Sequence, residues 1–345
     1  MRGAILVLLG RACALQHSAM WGLNSASDAD GWATLTFDVS DPGVILANHK
    51  SGLHALFPVQ WTAPQAKPCY VPVPHQRKGP TPYFNCITIA PDYRERWTKQ
   101  WQTIKPLADA GAAIGVFLGD EHLYFGLELS NVKAIADLIR LDWPEAIIYM
   151  NEAPDIAMCN FRKDNTTVFG QDECLPSNVD WFGFDFYARD STSWRGPEEA
   201  YQTFIYPRLP RVDQRVVPTS LGYAEGNLSA AAAASLDSFC ATNALRIFEW
   251  GLRDRRVVGA FPFHYNGGTR HPDGSITGGA GIFDLPRCLA TYKGLGQVIV
   301  AAGPRGTSQD LALAPPTPTG GVFPEPKCKT PMPQPPSTWA WCSRH

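Results

Sequence analysis

From about residue 32 to residue 300, short apolar runs alternate with amphipathic stretches, and the alternation predicts strands and helices in turn. The strand-like runs are 32–38, 53–61, 113–121, 146–151, 179–187, 216–221 and 257–265. Each is nearly continuous in apolar residues, with many β-branched and aromatic side chains, the pattern of parallel strands buried on both faces. Between them the helical stretches are 94–110, closed by Gly111, then 131–141, 228–254 and 288–301. In 131–141, Val132, Ile135, Leu138 and Ile139 fall on one face behind a predicted Ser130 N-cap. Repeated strand–helix units of this size predict an α/β fold, a (β/α)₈ TIM barrel followed by a Pro-rich C-terminal tail. An open doubly wound sheet is the rival, but no Gly-rich dinucleotide turn follows any strand.

The first unit is the irregular one. Residues 19–24 read as strand one, although the gap to Trp32 is too short for a crossover helix of about a dozen residues. The expectation is therefore a reduced first unit, with 4–9 as the competing strand. That competing segment also reads as the apolar core of a signal peptide, between Arg2 and the small-x-small site at Ala12-Cys13-Ala14. The expected organisation is a signal peptide over 1–14, a catalytic barrel over 15–303, and a Pro-rich linker with a short stapled tail over 304–345.

Nine cysteines fit secretion: without Cys13, eight remain, and pairing by sequence proximity joins Cys69 to Cys86, Cys159 to Cys174, Cys240 to Cys288, and Cys328 to Cys342. Asn165 and Asn227 stand in glycosylation sequons. A net charge of −2 without basic runs gives no electrostatic reason to expect nucleic acid as a partner. No segment beyond the N-terminus approaches the roughly 18 apolar residues that span a bilayer. A Pro-rich loop over 62–92 is long enough to wall a cleft. Eleven tryptophans suit sugar stacking, though large cores use them too.

In a barrel, chemistry gathers at the carboxyl ends of the strands. Found there are Asp38, Trp61, Asp120, Glu121, Asn151, Glu152, Asp185, Tyr187, Glu225, His264 and Tyr265. Two such carboxylates can cleave an acetal, one protonated to release the leaving oxygen and one ionised to attack or to activate water. Gly119-Asp120-Glu121, the run Asp180-Trp-Phe-Gly-Phe-Asp-Phe-Tyr187 and the closing run Gly259-Ala-Phe-Pro-Phe-His-Tyr265 resemble, by order and spacing, the clan A (β/α)₈ glycoside hydrolases. The resemblance covers roughly 20–300 and implies an acid/base Glu after strand four and a nucleophilic Glu after strand seven. Asn151-Glu152-Ala-Pro154 looks closer to the clan's Asn-Glu signature by letter. Counting strands favours Glu121, because Glu225 lies three strands further on, whereas no acid lies three strands beyond Glu152.

The resemblance implies Glu121 as acid/base, Glu225 as nucleophile and Tyr187 as the residue holding the nucleophile. Asp120 stands where the clan has Asn, and Asp185 is the substitute second carboxylate if Glu225 is remote. Asp38, Trp61, Asn151, His264 and Tyr265 complete the expected carbohydrate-binding set, with Trp21 a further stacking candidate. No cofactor or metal is expected. No strand end carries a Schiff-base lysine, and Gly278-Gly-Ala-Gly281 reads as a turn into Ile282-Phe-Asp-Leu-Pro286 rather than a phosphate site. The expected protein is a secreted retaining O-glycoside hydrolase; the alternative is a catalytically silent barrel that binds glycan or protein.

Overall fold

The computed structural model describes residues 17–20, 22–23, 25–29, 31–64, 69–71, 81–83, 87–153, 175–186, 197–220, 222–265 and 267–301. The predicted signal peptide, the rival strand over 4–9, Trp21, Tyr187, the sequon at Asn165 and the tail over 304–345 lie outside the described residues. So do Cys86, Cys159, Cys174, Cys328 and Cys342.

Eight short parallel strands form the frame: β1 His17–Ser18, β2 Leu35–Thr36, β3 His54–Pro58, β4 Ala113–Asp120, β5 Ile147–Glu152, β6 Trp181–Phe186, β7 Arg215–Ser220 and β8 Gly259–Ala260. Strands β2 to β7 hydrogen-bond in sequence order as one parallel sheet. β8 pairs with β1, and backbone bonds join this pair to both edges of the sheet. Val258 donates to Val216 at 3.1 Å on one side, and Thr34 donates to Ser18 at 2.8 Å on the other. The ring of eight closes, as the strand count predicts. Strand one is His17–Ser18, just before the 19–24 segment expected, and the first unit is indeed reduced, with only Ala26–Ala29 helical among the described residues before β2.

The helices pack outside the ring: α1 Pro42–Lys50, α2 Tyr93–Asp109, α3 Leu129–Asp142, α4 Ala230–Arg253 and α5 Pro286–Ala301. On α3 the buried residues are Val132, Ile135, Ala136 and Ile139, at the spacing of one helical face. Its N-cap is Glu128 rather than Ser130, whose hydroxyl instead donates to the Glu128 carboxylate. α4 begins at Ser229, whose side chain accepts the Ala232 N–H. Cys240 on α4 is bonded to Cys288 on α5, one of the proximity pairs. The Pro-rich loop opens and closes as antiparallel ladders, Thr62–Pro64 with Ile87–Ile89 and Cys69–Val71 with Thr81–Tyr83. No described helix is long and apolar enough to cross a membrane.

Inside the ring, aromatic side chains fill the cross-section. Phe37 lies 5.5 Å from Phe117 and 5.3 Å from Phe261, and Tyr149 lies 5.2 Å from Phe117 and 5.7 Å from Phe261. This packed layer forms the floor on which the polar residues at the strand ends rest.

Candidate active site

Strand β4 ends irregularly. Its pairing with β5 slips between Phe117 and Asp120, so that Asp120 comes opposite Asn151. Gly119 takes φ +135°, and a Cβ there would come within 2.2 Å of the His122 ring. Glu121 follows in the left-handed region at φ 50°, the only non-glycine with positive φ among the described residues. The next turn is secured from β5: Glu121 N–H donates to the Asn151 carbonyl at 2.9 Å, and the buried Glu152 carboxylate accepts from Leu123 N–H at 2.8 Å and Tyr124 N–H at 3.3 Å. Burial pushes the Glu152 carboxyl well above its ordinary range, against those two amides, and the nearby Glu121 charge adds to the rise. Glu152, the better match to the clan signature by letter, thus ties down the segment that carries Glu121. His122 Nδ1–H donates to the Asp120 carbonyl at 3.0 Å, and burial lowers the pKa of His122 to about 4, so the ring is neutral at neutral pH.

The centre of the site is an amide. Asn151 Nδ2 donates to Asp120 Oδ1 and to Asp185 Oδ1, each at 2.8 Å, and its Oδ1 accepts from Thr219 Oγ1 at 3.0 Å. The two accepting carboxylate oxygens are therefore no more than twice 2.8 Å apart. Asn151, Asp185 and Thr219 are buried, while Asp120 keeps part of its surface toward the mouth. Space for this network depends on Gly183, where a Cβ would stand 2.2 Å from Asn151 Oδ1 and 2.7 Å from the Tyr149 hydroxyl. Desolvation raises Asp120 well above the ordinary carboxylate range, the Asp185 charge adds to this, and the Asn151 amide opposes it.

Asp38, beyond β2, accepts the Gly22 N–H at 2.8 Å. Desolvation raises its pKa against that hydrogen bond and against the imidazole of His264, which follows β8. At the amino ends of the strands the pattern is different: Asp180 is paired with Arg140 and Arg211, and Asp254 with Arg256. Charge is neutralised in ion pairs at the lower face and held by amides at the upper one.

The other sequence candidates divide. Glu225 is exposed, beyond β7, on a segment where Ala224 bridges Ala280 antiparallel. Ala224 is buried in the core, so the pleat turns Glu225 to the same side as Tyr223, whose ring lies 5.6 Å from Phe263 and 6.4 Å from His264. Two stacking candidates are buried. Trp61 is 1% exposed, its indole N–H bonded to the Leu118 carbonyl at 2.7 Å and its ring against His122, so it supports β4 and offers no face to a ligand. Tyr265 is 6% exposed, packed into the core around α4 and α5. Sequence reasoning also passed over Thr219 and Gly183; inward-facing parity counted from Tyr149 and Asn151 across the parallel register points to both. Among the described residues, no group of three or more His, Cys, Asp or Glu is arranged to hold a metal ion.

No protein-family model matches the chain, and no curated protein matches it. Among solved structures it is similar to an FMN-binding β-glucuronidase from Facaelibacterium prausnitzii L2-6, with a TM-score of 0.51 and 9% identity over 83% of this chain and 44% of that one. It also matches an exo-β-1,4-mannosidase from Opitutaceae bacterium strain TAV5 (TM-score 0.43, 14% identity, 83% of this chain and 58% of that one). A third match is xylanase 10B from Thermotoga maritima (TM-score 0.44, 12% identity, 86% and 99%). The chain spans less than half the length of the β-glucuronidase. At such identities the likeness is one of fold, and this chain has the (β/α)₈-barrel fold found in glycoside hydrolases.

Proposed function

We propose that this protein is a secreted enzyme that hydrolyses O-glycosidic bonds of a poly- or oligosaccharide, with Glu121 as acid/base. The observation that carries the proposal is the gathering of Asp38, Asp120 and Asp185 at the carboxyl ends of β2, β4 and β6, each accepting from an amide, with Glu121 next to Asp120. Hydrolysis of an acetal needs one carboxyl that keeps its proton and one that gives it up. A mouth in which burial and mutual repulsion raise some carboxyls supplies that difference. Glu121 would protonate the leaving oxygen as the C–O bond breaks. Glu225, on the same side of its segment as Tyr223, would attack the anomeric carbon. Water, deprotonated by Glu121, would then release the sugar with retention, which requires carboxyls about 5–5.5 Å apart.

One observation favours a second assignment: Asp185 is buried and fixed by Asn151, whereas Glu225 is exposed on the wall. With Asp185 as the base that activates water, the configuration would invert. Secretion is supported by the Cys240–Cys288 bond, a linkage suited to an oxidising compartment.

The test is reducing-sugar release across a glycan panel by the wild type, Glu121→Gln, Glu225→Gln and Asp185→Asn, with the first-formed anomer followed by proton NMR. Loss of several orders of magnitude in Glu121→Gln is expected. A retained anomer with loss in Glu225→Gln supports the first assignment, and an inverted anomer with loss in Asp185→Asn supports the second. Activity equal in all four proteins refutes the assignment of these residues. A folded wild type that binds glycans without cleaving them refutes the enzyme and leaves a binding barrel.

A further inference from the structure

Arg215, at the amino end of β7, is 2% exposed, yet no carboxylate among the described residues forms an ion pair with it. Its Nη1 donates to the backbone carbonyls of Asp213 at 2.5 Å and Gln214 at 3.4 Å, while its Nη2 has no hydrogen-bond partner among the described residues. The charges of Asp213 and Asp254 reach it, but each carboxylate is already engaged by a neighbour. Asp213 accepts from Arg211 through both oxygens, at 2.9 and 3.1 Å, and Asp254 accepts from Arg256 through both, at 2.9 Å each. With Arg140 and Arg211 on Asp180, four guanidiniums meet three carboxylates in this cluster, and one positive charge is left over. A second donor stands beside Arg215. Trp181 opens β6 directly opposite it in the parallel register, and register partners on neighbouring strands face the same way. Trp181 packs with the residues that fill the ring, so both side chains enter the interior from its amino end. The Trp181 indole N–H is buried and also lacks an acceptor among the described residues.

We propose that Arg215 Nη2 and Trp181 Nε1 together bind a small monovalent anion of the chloride class, inside the lower end of the barrel and away from the acidic mouth. The proposal does not depend on the carbohydrate reading. A guanidinium keeps its proton when buried, so it cannot shed its charge as a carboxyl or an amine does. A buried charge is held by an opposite charge and by hydrogen bonds. A halide supplies both, accepting from two N–H groups and cancelling the positive charge that the three aspartates leave over. A water molecule would satisfy the donors and leave the charge. A divalent oxyanion would reverse the charge and lose more hydration on entry.

Crystals grown in sodium bromide, with anomalous differences measured at the bromine edge, locate the ion. Thermal midpoints of the wild type, Arg215→Met and Trp181→Phe are measured in sodium chloride and in sodium gluconate at equal ionic strength. The expected map has a bromide peak within hydrogen-bond reach of both donors. The wild-type midpoint should climb by about 3 °C for each tenfold of chloride above the Kd, and not with gluconate. Arg215→Met should lose that dependence. Trp181→Phe, which keeps a ring and lacks the N–H, should need about tenfold more chloride. If Arg215→Met does not fold, Trp181→Phe carries the comparison. A map without a peak beside Arg215 overturns the site. A wild-type midpoint equal in both salts overturns it too, and a peak would then mean binding at crystal concentration only. Chloride dependence unchanged in the folded variants places the ion elsewhere and likewise overturns it.

Discussion

Replacing Asn151 with alanine removes the one group that both aspartates share. The side chain is buried, so water does not take over its hydrogen bonds. Hydrogen bonds to charged groups contribute roughly 1.5–3 kcal/mol each. Two carboxylates whose oxygens are at most twice 2.8 Å apart repel by about 3 kcal/mol at an effective dielectric of about 20. The variant escapes part of this by keeping Asp120 protonated, which places the loss near 3–5 kcal/mol at pH 7, or about 10 °C in Tm for a domain of this size. The pH dependence carries the argument. A carboxyl raised in the folded state binds more protons there than in the unfolded chain, so stability falls as pH climbs through the window above 3.8. Asn151 opposes that rise; without it the window widens upward and the deficit grows with pH. At a pH low enough that Asp120 holds its proton in both proteins, the loss should shrink to about 1–2 kcal/mol. Urea unfolding at the two pH values measures the difference directly. A deficit equal at both, as a plain cavity would give, refutes the charge argument.

Other perturbations test neighbouring parts. Glu152→Gln cannot ionise, so its stability relative to wild type should improve between pH 5 and pH 8 as the raised Glu152 carboxyl of the wild type is forced to lose its proton; a flat difference in denaturant unfolding counts against it. Gly119→Ala should cost about 3 kcal/mol or more, from the φ of +135° and the contact with His122, and should lower activity as the Asp120–Glu121 segment shifts; an unchanged Tm contradicts the close approach. Reducing the Cys240–Cys288 bond, which closes a loop of 48 residues, should lower stability by about 4 kcal/mol, and thermal scans with and without a phosphine reductant read it.

Strands were legible because buried parallel strands are written as apolar runs, and all seven predicted runs contain strands of the ring. β1 was harder to place, since two residues, His17 and Ser18, carry no period and are recognised only through their bonds to Val258 and Thr34. The acids at the strand ends were visible, but their directions were not. One slipped pairing at Phe117–Asp120 decides that Asp120 meets Asn151, and no alternation in the sequence records that slip. Trp61 and Tyr265 were ambiguous for a related reason: an aromatic at a strand end looks the same whether a neighbour such as His122 or Phe283 covers it or a ligand does.

The closure of the ring also sets an order of assembly. His17 finds its partner at Gly259, so the first strand waits for nearly the whole domain before its outer edge is covered. Such a contact is among the costliest in loop entropy and among the last to form. Until then the sheet edge at β1 lies open to pairing with other chains. The two-residue length of β1 shortens that open edge. The bond between α4 and α5 ties together the two helices that flank the last strand, and holds the closing segment once it has arrived.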